Sequence, residues 1–209
     1  MAFKLQKTAD RPLQSSRVIV CEGRDEFEIL GWIREQRGLG EGDVELLDAK
    51  GRSNLPILLG DLRFLSGGSD VQLVAVVLDA EEQGASDLAL LRELPTIAQQ
   101  HRFAYLQRVL PDPDSVGALE TLVRRYANVG DAASFCANAW ETCLAPTSTP
   151  WTTAQKDKAW SHVWLAGQKA FYSRFGVALT QNAEVREHMS GVVQHFETLL
   201  DEVLNTSLS

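Results

Sequence analysis

Val71-Gln72-Leu73-Val74-Ala75-Val76-Val77-Leu78, followed at once by Asp79-Ala80-Glu81-Glu82, is the stretch that decides the fold. It is apolar almost throughout, with no polar alternation, and this reads as a β-strand covered on both faces. Upstream, Arg17-Val18-Ile19-Val20-Cys21 is a second run of the same kind, ending at Glu22-Gly23. Val44–Leu47 and Phe103–Leu110 supply two more strands, the last closed by the turn Pro111-Asp112-Pro113-Asp114.

Between the strands the period changes. From Asp25, Phe27, Leu30, Trp32 and Ile33 recur at helical spacing until Gly38-Leu39-Gly40. Pro56–Leu65 reads as a short helix, and Ser86 caps another that runs to His101. Strands alternating with helices, the strands buried, give an α/β fold: a mainly parallel four-stranded sheet of Rossmann-like type flanked by helices, with right-handed crossovers. Past Ser115 the chain reads as helices over Val116–Asn128, Ala132–Leu144, Ala154–Arg174 and Glu184–Leu204. A Pro/Thr/Ser break at Ala145–Thr153 divides an α/β domain, 16–145, from a helical C-terminal extension, 146–209, packed on it. Residues 1–15 read as a frayed lead-in.

The chain has 209 residues, of which 44% are hydrophobic and 23% charged, an ordinary globular balance that excludes wholesale disorder. No apolar run approaches the roughly 20 residues that cross a bilayer, and the lysines near the N-terminus have no apolar segment behind them. A soluble, cytoplasmic protein without an export signal is expected. Cys21, Cys136 and Cys143 form no CxxC and read as reduced thiols, which removes the disulfide-scaffold and zinc-finger classes. A net charge of −8 excludes non-specific coating of nucleic acid or anionic lipid. It does not exclude a nucleic-acid substrate met through bound cations.

Ligands of open parallel sheets gather beyond the carboxyl ends of the strands. Here those ends carry acids: Glu22 after the first strand, Asp48 after the second, Asp79 and Glu81 after the third. Carboxylates that converge repel one another unless something cationic joins them. Mg²⁺ or Mn²⁺, which prefer oxygen ligands and bridge to phosphate oxygens, answers that need.

Cys21-Glu22-Gly23-Arg24-Asp25 with Leu78-Asp79-Ala80-Glu81 resembles the Toprim superfamily, whose hallmarks are a Glu-Gly after the first strand and an Asp-x-Asp after the third. The finer resemblance is to a small stand-alone Toprim-related family of unknown function, akin to the overcoming-lysogenization-defect (OLD) nuclease domains. It rests further on Lys50-Gly51-Arg52-Ser53-Asn54-Leu55-Pro56, on Gly117-Ala118-Leu119-Glu120-Thr121-Leu122 and, less strongly, on Asp157–His162. It covers residues 16–145 and extends loosely into the helical tail. The resemblance implies a Mg²⁺- or Mn²⁺-dependent nuclease cleaving phosphodiester bonds in DNA or RNA, with an ABC- or AAA-type ATPase partner in phage defence. It makes Glu22 a general acid/base or metal ligand, and Asp79, Glu81 and Glu120 metal ligands. Lys50 is expected to join Glu22 in catalysis; Lys50 and Arg52 in a Gly-containing loop beside the second strand, with Gly23 and Arg24 near a helix N-terminus, are expected to bind phosphate. Glu81 departs from the family's second aspartate, and its extra methylene moves the carboxylate by roughly 1.5 Å. That departure, with the acidic balance, keeps open a non-catalytic nucleic-acid-binding or regulatory module. A homo-oligomer stays open as well, and no membrane partner is expected.

Other signals carry less. Gly38-Leu39-Gly40-Glu41-Gly42 has neither a strand before it nor a helix after it, so it is no dinucleotide loop. There is no GKS, GKT or GxSxG. His188 and His195 lack partners at metal-ligand spacing. Trp160 and Trp164, four apart, read as core packing rather than a base-stacking platform.

Overall fold

The computed structural model describes residues 12–81, 85–127, 132–144, 151–168, 172 and 174–208. Its centre is a four-stranded, all-parallel sheet in the order β2-β1-β3-β4, formed by β1 (Arg17–Cys21), β2 (Glu45–Asp48), β3 (Leu73–Asp79) and β4 (Ala104–Leu110). Cys21 lies beside Asp48 on one neighbour and beside Val77 on the other, so β1 and β2 finish level while β3 runs two residues further, to Asp79. Among the described residues no helix is long and apolar enough to cross a membrane.

The lack of alternation in β1 and β3 has a direct cause. Val18, Val20, Val74, Val76 and Leu78 pack into a cluster on one face, with α2 (Leu55–Asp61) and α3 (Ala85–Gln100). Ile19, Cys21, Leu73, Ala75 and Val77 pack into another on the opposite face. Successive side chains point to opposite faces, and both faces are dry.

The second face is the heavier. It receives α1 (Arg24–Gln36), α4 (Leu119–Tyr126), α5 (Ala132–Leu144), α6 (Thr153–Ala166), α7 (Phe175–Gln181), α8 (Ala183–His188) and α9 (Ser190–Asn205). Ile29, Leu30, Leu122, Trp160, Trp164, Phe196 and Leu200 meet there in one cluster with the β1 and β3 side chains, so the C-terminal helices share the sheet's own core. Arg17 of β1 ties the far end of α9 by donating to the carbonyls of Val203 (3.1 Å) and Thr206 (3.3 Å), satisfying acceptors left open at a helix C-terminus.

The sequence-predicted strands all form, with ends displaced by one or two residues. The helices need more correction. The Pro56–Leu65 segment is a helix to Asp61 and then a 3₁₀ turn, Leu62–Phe64. The Val116–Asn128 helix is shorter, because Gly117 and Ala118 are taken up by the approach to the strand ends. The Ala154–Arg174 helix stops at Ala166, where Gly167 caps it, and α7 follows as a separate element. The Glu184–Leu204 helix is two, α8 and α9, broken at Met189; Asn182 Oδ1 caps α8 by accepting from Glu184 N–H at 2.9 Å. The break at Ala145–Thr153 falls mostly outside the described residues, as do residues 1–11 of the lead-in. Leu13 and Ser15 are tied down by bonds to Ser66 and Asp43. Trp160 and Trp164 are core side chains.

Candidate metal centre

Glu22 is the first residue past β1. Its N–H still donates to Val77 O (2.9 Å), so its side chain leaves the sheet at a fixed point. One carboxylate oxygen, Oε2, accepts from Asp79 N–H at 3.1 Å and from Arg52 Nη1 at 3.3 Å. Asp79, the last residue of β3, is buried, and its Oδ1 accepts from Leu119 N–H at 2.9 Å. Leu119 opens α4, so this carboxylate satisfies an otherwise orphaned donor at a helix N-terminus.

Glu81 reaches the same place by an unusual backbone route. Its φ is 52°, in the left-handed region, and a two-way bridge holds it: Glu81 N–H to Gly117 O (2.6 Å) and Gly117 N–H to Glu81 O (2.8 Å). The bridge turns the chain away after Asp79, the last residue of β3, so Asp79 and Glu81 are neighbours through the bend rather than through strand pleating. Gly117 has φ 141°, and a Cβ there would run into the Thr121 side chain. Only glycine serves here.

One oxygen from each of Glu22, Asp79 and Glu81 lies within 4.8 Å of the others. Oxygen ligands at roughly 2.1 Å around an octahedral ion are about 3–4 Å apart, so the triad needs little closure to hold Mg²⁺ or Mn²⁺. These three residues line a cavity of about 600 Å³ at the carboxyl edge of the sheet. Gly23, Arg24, Asp25, Glu26, Asp48, Lys50, Gly51, Leu119, Glu120 and Lys158 complete its wall.

Glu26 and Glu120 extend the acid group. Glu26 lies in the first turn of α1 with only 5% of its surface exposed, and its Oε2 is buried without a hydrogen-bond partner among the described residues. It shares the buried face of α1 with Ile29, Leu30 and Ile33. A Cβ on Gly23 would stand 2.7 Å from that oxygen, so glycine leaves it room. Burial above all, then the charges of Asp25, Glu120 and Glu22, push the Glu26 carboxyl up to about 8 against the opposing effect of its own backbone N–H. Asp79 is likewise raised well above the carboxylate range by burial and by Glu26, Glu22 and Glu120. Burial also raises Glu22, opposed mainly by Arg52, and Glu120, opposed by its own N–H and by Lys158.

Lys158, on α6, has its Nζ 3.7 Å from Glu81 Oε1. Burial works against its ammonium, yet Glu120, Glu81, Asp79 and Glu22 together hold its proton more tightly than usual.

The structure thus brings Glu22, Asp79, Glu81 and Glu120 to one cavity, with Gly23, Arg24 and Lys50 on its wall. Arg24 is half-exposed and paired with Glu28 (2.9 Å) and Asp48 (3.7 Å). Lys50 sits at φ 58° with its N–H on Asp48 Oδ1. Arg52 lies behind the carboxylates, bonded to Glu22 and to Asp79 O. Reading along the sequence passes over Glu26 and gives Lys158 no role. Glu26 has a visible signal, a glutamate on the apolar i, i+3, i+4, i+7 stripe of its helix. Lys158 falls inside the Asp157–His162 segment of the resemblance, but its role is not legible there, since a distant helix delivers it.

A family model described as protein of unknown function (DUF3226) matches residues 16–205, and the chain belongs to that family. No curated protein and no solved structure matches it.

Proposed function

We propose that this member of the DUF3226 family is a divalent-cation-dependent phosphodiesterase of Toprim type, acting on DNA or RNA as a nuclease. The observation that carries the reading is the meeting of Glu22, Asp79 and Glu81 within 4.8 Å, beside a buried Glu26 whose Oε2 has no partner among the described residues. Carboxylates that served packing would be matched by hydrogen-bonding cations; these are short of positive charge and raise one another's pKa.

Glu22, Asp79 and Glu81 would hold Mg²⁺ or Mn²⁺, with Glu26 and Glu120 as further oxygen donors in the same cavity. When bound, such a cation polarises a phosphoryl oxygen and brings a water's pKa toward neutrality. The chain's own residues do the rest. Glu26 retains a proton at neutral pH until positive charge arrives, so cation uptake releases protons. The Lys158 ammonium, held charged by four acids, stands at the wall to face a phosphoryl oxygen. Arg24, Lys50 and the Gly23 backbone at the start of α1 line the same cavity and would receive the rest of the phosphate chain. With a net charge of −8, contact with a polyanion would be confined to this rim. The ATPase partner and the role in phage defence rest on the Toprim and OLD resemblance alone.

Purified chain incubated with plasmid, single-stranded DNA and RNA in Mg²⁺ or Mn²⁺ tests the reading. Cleavage lost on adding chelator and in Asp79→Asn supports it. Cation binding without cleavage of any polymer favours the non-catalytic module, turnover of free nucleotides alone a small-molecule phosphatase. Absence of both cation binding and cleavage would overturn the metal reading.

A further inference from the structure

We infer that Arg52 is a positioning residue for this cation site, fixing the Glu22 carboxylate against the end of β3 so that one of its oxygens is turned to the cavity. The inference rests on the proposed cation site. A phosphate clamp would present its guanidinium to the substrate, but Arg52 is absent from the cavity wall and its side chain is only 20% exposed.

Its bonds run instead to the framework. Nη1 donates to Asp79 O at 2.9 Å and to Glu22 Oε2 at 3.3 Å, joining the carboxyl ends of β1 and β3. The same Oε2 accepts from Asp79 N–H, so two donors occupy one oxygen of Glu22 and restrain its carboxylate. On its far side Arg52 Nε lies 3.3 Å from Asp87 Oδ1, in the first turn of α3. The loop that carries Arg52 is itself braced: Gly51 N–H donates to Glu22 O at 2.8 Å, and Asn54 Nδ2 donates to Ala49 O and Lys50 O. Glu22 is therefore gripped through main chain and side chain by one short segment. Arg52 works through two nitrogens on opposite sides, Nη1 hydrogen-bonding Glu22 and Asp79 O and Nε in an ion pair with Asp87, while Nη2 is buried without a hydrogen-bond partner among the described residues; the single nitrogen of a lysine cannot reach both sides.

The test is Mn²⁺ titration by calorimetry on the full chain, with Tm measured for every variant. Partners that orient metal ligands typically contribute about 10–100-fold in affinity, so Arg52→Gln should weaken Mn²⁺ binding by that much. Arg52→Lys, which keeps the charge and loses the fork, should recover only part. Asp87→Asn, at a position outside the cavity wall, should weaken binding several-fold, and it decides the question if Arg52→Gln fails to fold. A control for general destabilisation is Arg124→Gln, which should lower Tm and leave Mn²⁺ affinity unchanged. Wild-type affinity in folded Arg52→Gln, with weakened nucleic-acid binding, would make Arg52 a phosphate clamp and overturn the inference alone. Full rescue by Arg52→Lys would reduce its role to bulk charge and overturn it too, as would an unchanged affinity in Asp87→Asn. A wild-type chain that binds no Mn²⁺ would overturn the cation site and, with it, this inference.

Discussion

Adjacent residues of α6 serve two opposite electrostatic designs. Asp157, buried, meets Arg124 Nη1 at 2.9 Å, while Glu141 meets Arg124 Nη2 at 2.6 Å, and the guanidinium lies over the Trp160 ring. Two acids there share one fork-shaped cation at hydrogen-bonding distance. Lys158, the next residue, turns toward Glu22, Glu26, Asp79, Glu81 and Glu120, and its closest ion pair among the described residues is a loose 3.7 Å. The first cluster is closed in its hydrogen bonds: one guanidinium meets both acids at short distance, with one negative charge left over. The second is open, with more negative charge than its neighbours offset. Where burial of carboxylates serves packing, this chain supplies a matching guanidinium; where it does not, the deficit is what the proposed cation would offset.

The largest effect expected on the open cluster is that of Asp79→Asn. It keeps an acceptor for Leu119 N–H and removes the charge, so cation-dependent cleavage should fall more than about 100-fold, beyond the loss from an outer partner. In chelator its Tm should stay level or rise, since repulsion is relieved. A clear fall in Tm would make Asp79 a structural cap and erase the contrast.

Gly117→Ala strikes the bridge that carries Glu81. A methyl group against Thr121 at a φ of 141° should cost about 1–3 kcal/mol and lower Mn²⁺ affinity together with Tm. Unchanged affinity in a folded product would show that the bridge does not position Glu81.

Arg124→Gln opens the closed cluster. Because this guanidinium is about one-third exposed, the loss should be roughly 1–2 kcal/mol, below that of a fully buried pair, and cleavage should persist in the folded fraction. Loss of cleavage with intact Tm would merge the two clusters into one functional unit.

Acidity separates them more gently. Carboxyls raised in the folded state hold protons that the unfolded chain releases, so their stabilising effect is complete below the ordinary carboxylate range and is lost as pH rises. For Glu26 the window runs from 4.5 to about 8. In chelator, Tm should be several degrees higher at pH 5 than at pH 8, and saturating Mn²⁺ should remove most of that difference. A flat profile would mean that the open cluster is already balanced.

Glu81→Asp should have the smallest effect. Aspartate tolerates left-handed backbone better than glutamate, so Tm should rise by a degree or less while the shorter side chain changes Mn²⁺ affinity by a few-fold. A dead variant would show that the extra methylene sets the geometry.

Much of this is legible along the chain. Burial on both faces of the sheet needs no tertiary knowledge at Val74, Val76 and Val77, because a run without alternation has one stable home, the middle of a sheet dry on both sides. Glu22, Asp79 and Glu81 are legible for a related reason: parallel strands finish at one edge, so acids at their ends converge. Arg52 reads in sequence as a cation near phosphate, since a loop sequence does not say toward which side its guanidinium turns. The α6–α7 and α8–α9 breaks are blurred because apolar periodicity continues through Gly167 and Met189 while the backbone does not.

Local physics written in the sequence determined the strands, their burial and the edge where acids gather, since each depends on a side-chain period or on the direction of one strand. Only the tertiary structure decided that Glu26 would be sealed in with an oxygen left unmatched, that α6 would send Asp157 to an arginine and Lys158 to the acids, and that Gly117 would bend Glu81 into place. Those are contacts between segments far apart in the chain, fixed by how helices pack on a sheet, and no window of sequence contains both partners.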